Sequence, residues 1–529
     1  MSVDLGVTTD MAVAAASSAG VCIRPLLRKV TDRLTGTVTT IPLPCGSTRE
    51  KVCPSCAEKA RRVRMQQCRE GWHLTEDPRR QSDEDPDVDL EDDQDDQDDD
   101  ETEEEEPVEK SRRVRSTRHL SGFPDLPVLP VEDRTVGKAF TDEKTGRTYR
   151  PSMFLTITLP SYGKVIPGTG VPRNPKSYDY RRAALDALLF PRLVDRFWQN
   201  LRRAAGYKVQ YFAAVEPQRR LAPHLHAAVR GAIPRATIKA VAKATYTAIW
   251  WPPIDQVVYE GDYLPGWHAD LGGYLDPDTG AALPTWDEAL DEGDDGEPMH
   301  VVRLGAQVDI KGLLGGTPDS DRAVRYLCKY LTKSVAETYA TPREDDDPDV
   351  DPAAVAYEQH IDRLHREVRW LPCSPACANW LRYGVQPKDA GPGLIPGQCP
   401  SKAHDREHLG LGGRRVLVSR QWSGKTLTQH RADRAAVVRE VLQEAGIDAP
   451  DADRMAADVL DIDGEPRFVW EDVPVPERDY TSVIAQSLRQ AQRWRVQYEQ
   501  ARALAAERGS PPVDSNSANH SDQGKDSAA

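Results

Sequence analysis

The alternation of apolar and polar residues predicts two neighbouring strands near the middle of the chain. Residues 208–216 are rich in β-branched and aromatic side chains, and residues 224–230 continue the alternation after a short loop with two prolines. Side chains alternate between the faces of a strand, so His224 and His226 share one face. If the loop closes a hairpin, Glu216 pairs with His224 across it. The pattern then gathers one carboxylate and two imidazoles around one point, although histidines at this spacing are equally typical of packing or surface positions.

Residues 322–333 carry the period of an amphipathic helix. Apolar side chains recur at offsets of three, four and seven and predict a core face. A second stripe falls at the same offsets and consists of Tyr326, Lys329, Tyr330 and Lys333. The two tyrosines are therefore predicted to stack one turn apart, with lysines near enough to bind a phosphate. An ordinary helix with aromatic and basic surface residues would show the same pattern.

Composition divides the rest of the chain into ordered and low-complexity segments. Acidic stretches with few apolar residues cannot offset the entropy of ordering, so we expect them to be disordered. Gly-, Asp- and Pro-rich sequence predicts an inserted loop. The predicted organisation is a disordered start (1–20), a Cys-rich zinc-like module (21–75), an acidic and then basic linker (76–118), a strand-and-helix domain (148–340) with an inserted loop (260–300), a Cys/His module with a basic segment (341–430), a helical region (431–508, with helices near 431–447 and 480–507) and a disordered tail (509–529).

The net charge of −15 would oppose binding to a polyanion, but a single segment accounts for it. Residues Asp83–Glu109 contain 19 carboxylates and no Lys or Arg, and the other residues carry a net charge of +4. Basic clusters at 61–64, 112–115 and 414–415 are then candidate phosphate contacts. Any one such cluster alone is more typical of a solvated surface.

The nine cysteines are odd in number and grouped, which favours thiols in a reducing compartment over a disulfide framework. The first twenty residues lack the basic start and continuous apolar core of a signal peptide. No run of about 18 apolar residues is present to span a membrane. We therefore expect a cytoplasmic protein with no membrane partner.

Two Cys-rich units offer ligands for metal ions. Four soft ligands in an intracellular chain are typical of structural Zn²⁺, and free buried cysteines are the alternative for each unit. The first set is Cys45, Cys53, Cys56 and Cys68, with His73 as a spare. The second set has five ligands for four positions: Cys373, Cys377, Cys399, His404 and His408. Cys22 and Cys328 fit neither set.

Three segments of the chain occur in the order of the three motifs of HUH endonucleases. They are Phe154–Gly163 (FLTITLPSYG), Pro223–His226 (PHLH) and Tyr326–Lys333 (YLCKYLTK). The sequence most resembles the rolling-circle replication initiators of actinomycete plasmids, and the resemblance covers most of the chain, including both Cys-rich units. It implies an α+β fold in which an antiparallel, palm-like sheet forms the nicking domain, flanked by small zinc modules and disordered acidic segments.

The resemblance also implies roles for individual residues. His224 and His226 would bind Mg²⁺ or Mn²⁺, with Glu216 as the third ligand. A tyrosine of the third motif would attack the phosphodiester, and we rank Tyr330 ahead of Tyr326 because both branches of the family use that position. The implied partners are single-stranded origin DNA and a host helicase and polymerase, while the oligomeric state stays open.

Two other functions are compatible with the same sequence. A mobilisation relaxase or single-strand transposase would use the same chemistry, but relaxases usually carry their tyrosine before the histidine motif, and here it follows about 100 residues later. A non-catalytic, zinc-dependent DNA-binding regulator would keep the Cys units and use the histidines and tyrosines structurally. A covalent protein–DNA adduct distinguishes the enzyme from the regulator.

Overall fold

The computed structural model of the protein comprises two compact units, and the boundary between them falls inside one helix. Unit 1 is Met1–Val63 with Thr426–Ala529, and unit 2 is Arg64–Lys425. The residues described are 8–72, 120–135, 151–292, 297–314, 317–338, 351–412, 415–444, 463–474 and 480–507, with a few single positions or pairs between them. Most of the predicted acidic linker and the predicted tail lie outside these residues.

The described residues form helices and mostly short strands. In chain order they are α1 (Thr9–Ser18), β1 (Leu26–Asp32), β2 (Val38–Leu43), α2 (Pro54–Trp72), β3 (Phe140–Thr141), β4 (Thr148–Tyr149), β5 (Pro151–Thr158), α3 (Tyr180–Ala205), β6 (Tyr211–Pro217), β7 (Pro223–Arg230), α4 (Arg235–Ala244), β8 (Tyr246–Ile249), β9 (Gly266–His268), β10 (Gly273–Leu275), α5 (Trp286–Asp291), β11 (His300–Arg303), β12 (Val308–Leu314), α6 (Pro318–Leu327), α7 (Pro352–Trp370), β13 (Val416–Val418), α8 (Leu427–Glu444), β14 (Phe468–Asp472) and α9 (Tyr480–Glu507). Short 3-10 helices occupy Pro175–Ser177, Ala336–Thr338, Ala378–Tyr383 and Lys402–His404.

Unit 1 joins the two ends of the chain. Strand β1 pairs antiparallel with β2 on one side and with β14 on the other. The Asp32 carboxylate accepts a hydrogen bond of 2.8 Å from the Arg467 guanidinium across the second pairing. Helix α1 packs against α9 through Ala12, Ala16 and Ile484. The N-terminal Cys-rich segment and the C-terminal helices therefore share one unit, where the sequence suggested two separate regions.

Unit 2 is built on a five-stranded antiparallel sheet in the order β12-β5-β7-β6-β13. Glu216 on β6 pairs with His224 on β7, so the predicted hairpin register is confirmed. On the other side of β7, Thr156 pairs with His226 and Thr158 with His224. The two histidines thus lie in the centre of the sheet, between strands that hold them on both sides.

Helix α3 contributes a buried apolar face to the core cluster that also contains residues of this sheet. The Asp179 side chain caps its N-terminus by accepting from the Arg182 N–H, and Gly206 ends it in the left-handed conformation with φ 69°. Leu189, Phe190, Leu193, Phe197 and Leu201 are buried along one face. Burial of this apolar stripe holds helix α3 against the core of unit 2.

The described part of segment 260–300 contains regular elements, where the sequence predicted an inserted loop. It contains β9, β10 and α5, and Tyr274 packs with Tyr259 and Leu381 in a buried cluster of its own. A reciprocal capping box joins Thr285 and Glu288 at the start of α5. The Gly, Asp and Pro content of this segment led to the prediction of a loop. The spacing of Thr285 and Glu288 is, however, a recognisable signal for the start of a helix.

The tyrosine helix is shorter than predicted. Helix α6 ends at Leu327, and the chain continues in turns in which the Lys329 N–H donates to the Tyr326 carbonyl. No Gly or Pro marks this end in the sequence. The following segment is instead tied down by tertiary contacts, since the Val335 N–H donates to the carbonyl of Glu407 at 2.9 Å. Tyr330 therefore lies in a turn, not one helical turn beyond Tyr326.

The structure thus has the predicted mixture of helices and antiparallel sheet. Among its described helices, none combines the length and the apolar character needed to cross a bilayer.

Candidate metal centre

Three side chains from strands β6 and β7 converge inside unit 2. The Nε2 atoms of His224 and His226 lie 2.8 Å apart, and Nε2 of His226 lies 4.0 Å from a carboxylate oxygen of Glu216. All three side chains are buried, and their ligand atoms lie within 4.8 Å of one another. The three residues predicted from the hairpin are therefore brought together.

Hydrogen bonds orient both imidazoles with Nε2 toward the common point. Nδ1 of His224 lies 2.7 Å from the carbonyl oxygen of Glu216, and a carbonyl only accepts, so Nδ1 carries the proton and Nε2 the lone pair. Nδ1 of His226 lies 2.9 Å from the hydroxyl of Thr156. Such outer contacts are what fixes the ring of a metal-binding histidine.

The electrostatics of the cluster suit a divalent cation. Burial lowers the pKa of His224 to about 4 and that of His226 to about 3, so both rings are neutral at pH 7. Burial raises the pKa of Glu216 to about 7, against the opposing charges of Arg415 and Lys329. One carboxylate oxygen of Glu216 is buried and has no hydrogen-bond partner among the described residues. An oxygen and two imidazole nitrogens, with other coordination positions open, fit Mg²⁺ or Mn²⁺.

Tyr326 is the tyrosine that reaches this cluster. Its hydroxyl lies 3.3 Å from Nε2 of His226, and its side chain is 45% exposed. The ring of Phe154 contacts both the His226 ring and the Tyr326 ring, at centroid distances of 5.8 and 6.0 Å. Burial, and then the charge of Glu216, raises the pKa of Tyr326. The end of α6 therefore presents a phenol with solvent access beside the cluster of Glu216, His224 and His226.

The other residues of the predicted stripe lie after the end of α6. Tyr330 lies in the turn after α6, where the Lys329 ammonium stands 4.9 Å from the centre of its ring. Lys329 is also close enough to Glu216 to lower the pKa of that carboxyl. Lys333 is exposed and contributes its backbone carbonyl to a contact with Arg415. The geometry thus places Tyr326, not the first-ranked Tyr330, against the histidines.

Arg415 connects the segment after Tyr326 to strand β6, and the sequence had placed it only in a basic cluster. Its guanidinium donates to the carbonyl of Val215 at 3.1 Å and to the carbonyl of Lys333. Its own carbonyl accepts from the Val215 N–H at 2.8 Å. Arg415 therefore fixes the segment after Tyr326 against the strand that carries Glu216.

A cluster of four cysteines forms in unit 1, and it differs from the predicted set at one position. Its members are Cys22, Cys45, Cys53 and Cys56. Strand β1 begins shortly after Cys22 and β2 ends shortly before Cys45, and the pairing of Leu26 with Leu43 brings these two cysteines to the same end of the hairpin. That hairpin was the signal that could have identified Cys22.

The assignment of Cys68 to this site was wrong. Cys56 and Cys68 lie on the same helix α2, twelve residues apart, and a rise of about 1.5 Å per residue separates them by about 18 Å. Cys68 is fully buried in an apolar cluster with Trp72, Phe212 and Cys328. The spare ligand His73 lies outside the described residues.

The second Cys/His cluster uses four of the five predicted ligands. The set is Cys373, Cys377, Cys399 and His404. Nδ1 of His404 donates to the carbonyl of Val368 at 2.8 Å, which leaves Nε2 3.5 Å from the sulfur of Cys377. His408 is not part of the set, and its Nδ1 lies 3.6 Å from a carboxylate oxygen of Asp405. Both four-ligand clusters are compatible with structural zinc.

Comparison with known proteins identifies one family. The family model described as RepSA, replication initiator protein, pSAM2, matches residues 8–498. No curated protein and no solved structure matches the chain.

Proposed function

This chain belongs to the RepSA family of replication initiator proteins, and from that premise we propose that it starts plasmid replication by nicking one strand of the origin. One observation carries the proposal: the Tyr326 hydroxyl lies 3.3 Å from Nε2 of His226, at a buried three-residue cluster suited to a divalent cation. A phenol beside such a cluster is suited to attack a phosphodiester.

In the proposed reaction the phenolic oxygen of Tyr326 attacks the scissile phosphorus. The bond from phosphorus to the 3′ oxygen breaks, a 5′-phosphotyrosine forms, and the phenolic proton ends on the released 3′-hydroxyl. Glu216, His224 and His226 would hold Mg²⁺ or Mn²⁺, which would polarise the scissile phosphate when bound. Lys329 adds positive charge beside the attacked group, and Phe154 keeps the Tyr326 ring in place.

The surrounding steps follow from this chemistry. The free 3′-hydroxyl would prime a host polymerase while a host helicase opens the duplex. Tyr330 is the candidate for the second transfer, which resolves the product after one round of rolling-circle replication. The Cys clusters would hold structural Zn²⁺ and present basic surfaces to the origin.

The decisive experiment incubates the full-length, zinc-loaded protein with Mn²⁺ and single-stranded oligonucleotides tiled across its replicon. We expect a covalent adduct whose attached peptide, read by mass spectrometry, contains Tyr326. Tyr326→Phe should abolish this adduct, whereas the matched variant Tyr330→Phe should still form it.

Two outcomes would contradict the proposal. An adduct that persists in Tyr326→Phe would move the nucleophile to another residue. Absence of any adduct, with origin binding intact, would favour the zinc-dependent regulator.

A further inference from the structure

A small polar cavity lies at the edge of the metal centre, at the ends of β5 and β6. Its volume is about 290 Å³, near the lower limit for small-molecule sites. The lining includes Thr158, Leu159, Ser161, Gln218, Arg220 and Gln307. Thr158 pairs directly with His224, and Gln218 follows Glu216 by two residues. The cavity is therefore next to the proposed metal ligands His224 and Glu216.

Hydrogen bonds hold the walls of this cavity together. The Arg220 guanidinium donates to the carbonyls of Leu159 and Pro160, both at 2.7 Å. The Gly305 N–H, which also lines the cavity, donates to the carbonyl of Thr158 at 2.6 Å. A Cβ at Gly305 would lie 2.8 Å from the Leu159 carbonyl oxygen, so this approach requires glycine. The cavity is therefore preformed.

Existing hydrogen bonds determine what the cavity offers a ligand. Nε of Arg220 donates to Oε1 of Gln218 at 2.8 Å, so the amide nitrogen of Gln218 is left as a donor, with no acceptor among the described residues. Nε2 of Gln307 donates to the Asp309 carboxylate at 3.2 Å, which leaves its Oε1 as an acceptor. One amide donor and one amide acceptor thus line the same cavity.

We propose that this cavity binds one nucleobase of the strand whose phosphate lies at the metal centre; this rests on the proposed function. Every base carries donors and acceptors along its edge, and glutamine amides read such edges. Arg220 donates to Gln218, Leu159 and Pro160, which holds the guanidinium in place and leaves its positive charge beside the cavity. The base would hold the strand so that the neighbouring phosphate faces Tyr326.

The test is an abasic scan with the full-length, zinc-loaded protein. Each nucleotide of the tightest-binding single-stranded oligonucleotide is replaced in turn by an abasic site, which keeps the phosphate and removes the base. Affinities are measured by fluorescence anisotropy in a Tyr326→Phe background, which prevents cleavage by that residue. We expect one position at which the abasic site weakens binding about tenfold or more.

Variants of Gln218 test whether the loss of affinity at the abasic position arises in the cavity. In Gln218→Ala, the ratio of intact to abasic affinity at this position should fall to about twofold or less. Gln218→Glu keeps an acceptor for Arg220 and removes the free donor, so the ratio should fall in this variant as well. Because both affinities are measured with the same protein, the repulsion between the added carboxylate and DNA cancels in the ratio. The exposed Gln256→Ala should leave the penalty unchanged.

The outcomes separate the two proposals. If no abasic position is costly, or if the penalty is the same in both Gln218 variants, the base site is refuted. If the unmodified protein forms no covalent adduct with any intact oligonucleotide, the proposed nicking function fails instead, whatever the scan shows.

Discussion

Two clusters of unit 2 that could hold a metal ion differ in the ligands they offer, and we call them the open site and the closed site. The open site has two imidazoles and a carboxylate, with Tyr326 at its edge. The closed site has three thiols and His404. Four soft ligands saturate a tetrahedral ion, whereas three harder ligands leave positions for a phosphate. The difference separates a site suited to chemistry from one suited to holding the chain together.

The two sites also differ in what supports them. His224 and His404 are oriented alike, because each donates Nδ1–H to a backbone carbonyl at 2.7 or 2.8 Å. However, the open site lies on central strands held by ladder hydrogen bonds, whereas the closed site lies on turns and short 3-10 helices after α7. We therefore expect the sheet to keep its geometry without a metal ion, and the turns of the closed site to depend on metal binding.

The largest expected effect comes from the open site. His226→Gln should reduce adduct formation by about 10³-fold or more, because it removes one of two imidazole ligands. The zinc content and the midpoint of thermal unfolding should stay close to those of the unmodified protein. Equal loss of structure and activity would refute the distinction between the two sites.

The closed site should respond in the opposite way. Cys377→Ser should release one zinc per chain and lower the free energy of unfolding by about 4 kcal/mol or more, since metal binding there is coupled to folding. Elemental analysis and chemical denaturation measure the two effects. His408→Ala is the control, and its zinc content should not change. Zinc loss in that control would return His408 to the ligand set.

Substitutions of Cys22 and Cys68 test which cysteines belong to the cluster in unit 1. Cys22→Ser should remove one zinc, whereas Cys68→Ser should keep both and cost only about 1–3 kcal/mol of stability, because it buries a hydroxyl in an apolar cluster. Zinc stoichiometry after removal of loosely bound cations distinguishes them. The reverse result would restore the ligand set predicted from spacing.

The sequence predicted those strands and helices whose apolar and polar residues follow a regular period. The alternation around Glu216 and His224 gave the strands and their register, because a short hairpin leaves few alternatives. It could not give the end of α6 at Leu327, which depends on contacts of the following segment with residues 407 and 415. Sequence spacing likewise favoured Cys68 over Cys22, because only the pairing of β1 with β2 brings Cys22 to Cys45. In both cases, contacts between residues distant in the sequence caused the difference between prediction and structure.

The smallest expected effect tests whether the sheet alone orients the open site. Thr156→Val removes the hydroxyl 2.9 Å from Nδ1 of His226 without changing the shape of the side chain. The affinity for Mn²⁺, measured by titration calorimetry, should fall about 10–100-fold, as is usual for partners of metal-binding histidines. Thr156→Ser, which keeps the hydroxyl, should stay near the original affinity. If both variants bind Mn²⁺ like the unmodified protein, backbone pairing of β5 with β7 suffices to orient His226, and the hydroxyl contact contributes nothing to the site.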